Sequence, residues 1–258
     1  MQEVALNDEL SPELSLIEKA RQRLAQKQFY IRLFRAPIDR IRWVFIHRKI
    51  HLLARKLRTN FFVVQIGAND GIHSDPIRSF INKYGWHGVL VEPVPHYFKK
   101  LIKNYKDSPN LSFVETAITN TDGEATMYSA VDLGDGITNP LQGKDSISRD
   151  LIVGRAWMSK WPVEALVKPL RVPTMKLQTL LDTNRVSRLD MIVVDAEGQD
   201  KIILDQLDLN RYQPTFILYE HLHLSKKECM LVADRLENHG YKLIVTRRDT
   251  FAEFKTHL

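Results

Sequence analysis

From residue 61 onward, short apolar runs alternate with segments in which apolar side chains recur every three or four positions. The runs "FFVVQI" (61–66), "GVLVEP" (88–93), "LSFVETAI" (111–118), "LDMIVVD" (189–195) and "TFILYE" (215–220) are short and rich in β-branched or aromatic residues. They read as buried strands. Between them, "DPIRSFINKY" (75–84), "HYFKKLIKNY" (96–105), "MKLQTLLD" (175–182), "KIILDQL" (201–207) and "KKECMLVADRLENHG" (226–240) read as helices. "EATMYSA" (124–130), after a Thr-Asp-Gly turn, predicts a further strand, and "YKLIVTRR" with "DTFAEF" closes the chain as a hairpin. Alternation of this kind predicts a doubly wound, mostly parallel α/β sheet.

Upstream the pattern is helical throughout. Ser11-Pro12-Glu13 is a helix start, and Ile17, Ala20, Leu24, Ile31 and Phe34 follow at helical spacing as far as Arg35. Ala36-Pro37 interrupts, and Trp43, Ile46, Ile50, Leu53 and Leu57 predict a second helix over 38–57. Residues 1–60 therefore read as a helical appendage and 61–258 as the main domain. Residues 131–170, irregular and dotted with Gly and Pro, read as an inserted lid. There Trp157, Trp161, Asp145 and Ser146 offer a sugar platform, with burial of the tryptophans in a subdomain core as the competing reading.

Charge sharpens this division. Residues 1–60 hold 13 Lys/Arg and 6 Asp/Glu, whereas the remainder holds 24 and 25. The appendage is basic and the body neutral, so the basic balance says nothing about the body's ligand. For the appendage three roles compete: an extra helical layer, a peripheral membrane contact through residues 11–58, or a dimer or acidic-partner interface. Nucleic acid is not expected, because aromatic and basic residues do not interleave on strands. The single cysteine, Cys229, excludes a disulfide framework and a Cys-rich zinc site, and reads as a small core residue. No basic n-region followed by an apolar stretch opens the sequence, and no apolar run approaches a membrane span, so a cytoplasmic location is expected.

The chemistry gathers at strand ends, where open α/β sheets bind ligands. After the first strand comes Gly67, Asn69, Asp70 and Gly71; after the second comes Glu92. The glycines permit a sharp turn and close ligand approach, and an acid at the second strand end can accept from a ribose diol. The turn is neither G-x-G-x-x-G nor a P-loop. An acid within it suits the ammonium of a methionine moiety better than a pyrophosphate, so S-adenosylmethionine is the expected cofactor. "VVDAEGQD" brings Asp195, Glu197 and Asp200 to a later strand end, with Asp200 the one expected to cap a helix. "ILYEHLHLS" adds Glu220, His221 and His223, of which His223 is expected to be structural.

"VVQIGANDG", "GVLVEPVP", "VDAEGQD" and "ILYEH", in this order and spacing, resemble the FkbM family of S-adenosylmethionine-dependent methyltransferases over roughly residues 61–254. The resemblance implies the class I methyltransferase (Rossmann-like) fold and O-methylation of a hydroxyl, often on a sugar or natural product. It implies that Gly67, Asn69, Asp70 and Gly71 hold the methionine end and Glu92 the ribose. Asp195, Glu197, Glu220 and His221 are then the catalytic candidates. Two routes stay open: His221 or a carboxylate as general base, or a Mg or Mn ion held by Asp195, Glu220 and His221. The expected partner is a small-molecule or glycan acceptor, with oligomeric state left open. The rival functions are N-methylation of a protein or small amine and a non-catalytic cofactor-binding module.

Overall fold

The structure, a computed structural model, describes residues 39–57, 60–130, 141, 143, 145–156 and 166–255. The first predicted helix, Trp157 and Trp161 lie outside the described residues.

Five helical stretches predicted from periodicity form α2 (Arg78–Tyr84), α3 (Pro95–Asn104), α5 (Leu177–Thr183), α6 (Asp200–Gln206) and α7 (Lys226–Asn238). The helix predicted over 38–57 forms α1 (Asp39–Leu57), and a further helix is α4 (Arg149–Ala156). The main sheet contains β1 (Phe62–Ile66), β2 (His87–Val91), β3 (Leu111–Val114), β7 (Met191–Val194), β8 (Phe216–Glu220), β9 (Tyr241–Val245) and β10 (Asp249–Phe254). Their order is β3-β2-β1-β7-β8-β10-β9. The first five are parallel, and β10 runs antiparallel to both β8 and β9. This is the class I methyltransferase fold that the resemblance implies.

Burial on both faces explains why the strands read as unbroken apolar runs. Val64, Ile66, Ile192, Val194 and Ile217 pack under α5, α6 and α7, together with the buried Cys229. Burial lifts that thiol to about 11, which leaves it inert at neutral pH. On the opposite face, Val63, Met191, Val193 and Leu218 pack against Ile46, Ile50 and Ala54 of α1 and Phe80 of α2. Lys49 pairs with Glu253 on β10, and Arg42 donates to the Val245 carbonyl on β9. The helix before the main domain is thus packed into its core.

Two differences from the sequence expectation concern strands. "LSFVETAI" is not one strand: it breaks at Glu115-Thr116 into β3 and β4 (Ala117–Ile118), and β4 joins another sheet. That second sheet, ordered β4-β6-β5, contains β5 (Gly123–Ala130) and β6 (Val167–Met175). Part of β6 falls in the stretch read as irregular, because Pro169 and Pro173 interrupt its pattern. The two prolines are four residues apart, so both missing N–H groups face the same edge. A continuous ladder with β5 places that edge on the β4 side, which β4 occupies only at Thr174 and Met175.

Candidate functional site

Beyond the carboxyl ends of β1, β2, β7 and β8 lies a cavity of about 860 Å³, walled on the far side by Met127 of β5 and by Asp145 and Ile147. Its size is that of a nucleotide-scale ligand site.

At the end of β1 the chain reverses tightly. The N–H groups of Gly67 and Ala68 both donate to the Val91 carbonyl at 3.0 Å, stitching the turn to β2. Gly67 has φ +80, and a Cβ there would lie 1.9 Å from the carbonyl oxygen of Asp195. The missing side chain makes room for the neighbouring strand end, and only then for a ligand. Gly71 differs from expectation: it does not line the cavity, and a Cβ there would strike the Tyr105 ring at 2.5 Å and Leu101 at 2.7 Å. Packing of the loop against α3 is its reason.

Asn69 and Asp70 line the cavity, but much of their polarity is turned inward. Asn69 Oδ1 accepts from the Asp70 N–H. Asp70 Oδ1 accepts from the N–H groups of Ile72 and His73, each at 2.9 Å, and Oδ2 lies 2.6 Å from His73 Nδ1. Burial pushes the Asp70 carboxyl up, but the His73 and Ile72 N–H groups and the imidazole outweigh it, and the net shift is downward. Shaping this turn is a task for Asp70 beside the expected contact with an ammonium.

Glu92 closes β2. Its Oε2 accepts from the Asn69 N–H and its Oε1 from the Val94 N–H, both at 2.9 Å. Burial, reinforced by the charges of Asp145 and Asp195, raises this carboxyl to about 8 in spite of the two N–H donors. One group thereby ties the first turn to the second strand end. Thr116, Ala117 and Ile118 line the wall where β3 hands over to β4, and the Tyr97 hydroxyl accepts from the Gly143 N–H at 2.7 Å.

After β7 the chain passes through Asp195 and Glu197, both lining the cavity. Glu197 has φ +49, a backbone region unfavourable for a long side chain. Two contacts hold it there. Ser146 Oγ donates to the Glu197 carbonyl at 2.9 Å, and Asp200 accepts from the Gly198 N–H at 3.1 Å. Fully buried, Ser146 is a strut for this turn and not part of a sugar platform. Asp145 does line the cavity, where it accepts from the Ala130 N–H. Asp200, expected to cap α6, braces the preceding turn instead. Burial, then the Asp195 charge, holds its carboxyl well above the usual range.

The end of β8 reorders the candidates. Glu220 lines the cavity, is 2% exposed, and accepts from Arg248 Nη2 at 2.6 Å. His221 points away: its Nδ1 lies 2.9 Å from Thr250 Oγ1, and it is not in the cavity wall. The side chains of Glu220 and the residue after it leave the chain on opposite sides, which turns His221 towards Thr250 of β10. The following turn, closed by the Leu224 N–H on the His221 carbonyl, carries His223 back beside Glu220. His223 Nε2 lies 3.3 Å from both Glu197 Oε2 and Glu220 Oε2. The residue expected to be structural joins the acids. Among the described residues, the trio whose ligand atoms lie within 4.8 Å of one another is Glu197, Glu220 and His223, not Asp195, Glu220 and His221.

Eight acidic side chains line the cavity, of which Glu92 keeps its proton at neutral pH, and the Lys and Arg opposing them are Lys100 and Arg248. Such a lining favours a ligand bearing positive charge, as a sulfonium and an ammonium do, and disfavours a pyrophosphate. Gln65 Oε1 is buried in the same wall with no hydrogen-bond partner among the described residues, an acceptor left for a donor from a ligand. These features fit S-adenosylmethionine. Arg248 and Gln65 have no role in the sequence analysis, and His223 is named there only as a structural residue. Only His223 had a signal, its spacing of three from Glu220.

The match to a family model points the same way. The profile of the methyltransferase FkbM domain matches residues 65–243. Among solved structures, a methyltransferase FkbM from Methylobacillus flagellatus KT is 13% identical with a TM-score of 0.46, covering 76% of this chain and 43% of that one. A precorrin-6y C5,15-methyltransferase from Geobacter metallireducens GS-15 is 14% identical with a TM-score of 0.40, covering 80% and 85%. A putative caffeoyl-CoA O-methyltransferase from Staphylococcus aureus is 9% identical with a TM-score of 0.42, covering 80% and 83%. No curated protein sequence matches the chain.

Proposed function

Because the chain belongs to the family of FkbM methyltransferases, we propose that it transfers a methyl group from S-adenosylmethionine to a hydroxyl of a carbohydrate or related metabolite. The observation that carries this reading is the Glu197–His223–Glu220 cluster at the cavity wall. A neutral amine accepts a methyl group without help, whereas an alcohol must surrender its proton as the new bond forms. When bound, the cofactor supplies a methyl group on a positively charged sulfur, ready for in-line attack. The protein's residues do the rest. Glu92 and the turn at Gly67 orient the nucleoside. Glu197 and Glu220 hold the acceptor hydroxyl and take its proton, and His223, 3.3 Å from each, stands behind to share it. With its proton passed to these carboxylates, the acceptor oxygen would be held ready for the methyl group that the bound cofactor would supply.

The same cluster supports a second route. Two carboxylates and an imidazole within 4.8 Å suit a Mg or Mn ion that would acidify the hydroxyl. A labelled-methyl assay against a panel of sugar hydroxyls and amines separates the readings. The expected product is an O-methyl ether, formed at the same rate with or without a chelator. A rate abolished by chelator and restored by Mn would replace the base with the ion. An N-methyl product, or binding with no turnover on any acceptor, would overturn the hydroxyl assignment.

Glu92 makes a separate prediction about the cofactor. With its carboxyl at about 8, the free protein holds this proton at pH 7. Ribose hydroxyl donors and a ligand cation favour the ionised form, so binding expels the proton. Affinity therefore rises with pH up to about 8 and is flat above. For folding the sign is opposite to that of an ordinary salt-bridged acid. Between the unfolded value, 4.5, and about 8 the unfolded chain is ionised while the folded one is not, so stability falls as pH rises through that window. Calorimetry with S-adenosylhomocysteine at pH 7, in buffers of different ionisation enthalpy, is expected to show nearly one proton released per site. Glu92→Gln is expected to abolish that release and weaken binding at least about tenfold. Equal heats in all buffers would rule out the ribose role.

A further inference from the structure

Helix α1 presents two apolar stripes on opposite sides. The inner one, Ile46, Ile50 and Ala54, is buried in the core. At 100° per residue, Ile41, Val44, Phe45, Arg48, Leu52 and Arg55 fall on a second stripe diametrically opposite. Its four apolar members stand in solvent, with Ile41 56%, Val44 64%, Phe45 56% and Leu52 61% exposed. Arg48, Arg55 and the adjoining Lys56 are exposed as well, and no acid occurs between Ile41 and Lys56. Beside this stripe runs a shallow groove bordered by Trp43, His51, Tyr84 and Lys83, and Trp43 is also part of the wall of the cofactor-sized cavity.

We propose that the outer face of α1 docks on an anionic membrane surface. Bulky apolar side chains in water next to a row of cations match the two attractions that hold an interfacial helix, insertion among lipid tails and attraction to acidic headgroups. Charge also argues against self-association. A two-fold interface sets the same patch against itself, and a stripe that holds Arg48 and Arg55 but no acid offers its copy no opposite charge. The inference rests on α1 alone and stands whatever the acceptor of the methyl group is.

Sedimentation of the full-length protein with vesicles is the test. Binding is expected to vesicles of 70% phosphatidylcholine and 30% phosphatidylserine, and to be at least tenfold weaker to phosphatidylcholine alone. Phe45→Ser with Leu52→Ser is expected to lower partitioning at least tenfold, and Arg48→Ala or Arg55→Ala about fivefold each. All four side chains are at the surface, so melting temperature and S-adenosylhomocysteine binding serve as folding controls and are expected to hold. Three outcomes would overturn the proposal: no sedimentation with the anionic vesicles, equal sedimentation of wild type and the Phe45/Leu52 variant, or an effect of these substitutions confined to the oligomeric state in gel filtration.

Discussion

Gly67→Ala is expected to damage the fold before it damages any activity. The new Cβ would sit 1.9 Å from the Asp195 oxygen and 2.9 Å from its carbonyl carbon, with φ at +80. The obstacle is backbone, so no rotamer change relieves it. Nor can the strand ends separate easily. The Asp195 N–H donates to the Ile66 carbonyl at 3.0 Å, and the Gly67 and Ala68 N–H groups are held by Val91 on the other side. Any relief breaks the junction of β1 with β2 or with β7. A loss of about 4 kcal/mol or more belongs to this class of change. For a chain of this size that is a fall of roughly 10 °C in melting temperature. Thermal denaturation of the free protein measures it. The alternative, that Gly67 serves only ligand approach, predicts an unchanged melting temperature and lost cofactor binding. A fall of less than about 3 °C would favour that alternative.

Glu197→Gln is expected to lower kcat by about 10²–10⁴-fold while leaving the cofactor bound. Glutamine keeps the length, the shape and the carbonyl that receives Ser146 Oγ, so the strained turn at φ +49 is retained. What it removes is a proton acceptor in the cavity wall. General-base contributions are worth about 10²–10⁴-fold, roughly 3–5 kcal/mol of barrier. The expected signature is a kcat lowered by that factor, with S-adenosylhomocysteine affinity within about twofold of wild type. Glu220→Gln should act in the same direction. A kcat within about threefold of wild type for both variants would remove the carboxylates from the chemistry. That result would favour an amine acceptor, which needs no base once neutral.

How much of this was legible along the chain differs by feature. The seven strands of the main sheet and most of the helices follow from local periodicity, and the strands buried on both faces are apolar over most of their length. β1 and β7 are clear cases, each containing "VV". β6 was obscured because two prolines read as interruption, and their tolerance depends on what lies along the β6 edge. The break at Glu115-Thr116 was equally hidden, since nothing local says that the next two residues change sheets.

At the site, the sequence by itself determined that acids and tight turns stand at the carboxyl ends of parallel strands. It also determined that the first turn is neither a dinucleotide nor a P-loop fingerprint. Those are properties of neighbours along the chain. Only the tertiary structure decided which of those groups meet. Strand pleating sends His221 towards Thr250, and the turn after β8 returns His223 to the two carboxylates. Gly67 owes its identity to an oxygen 128 residues further on, Asp195 O, and Gly71 owes its own to the Tyr105 ring. The reason is geometric: a side chain's type is written at its own position, but its direction and its company depend on how distant strands lie beside one another.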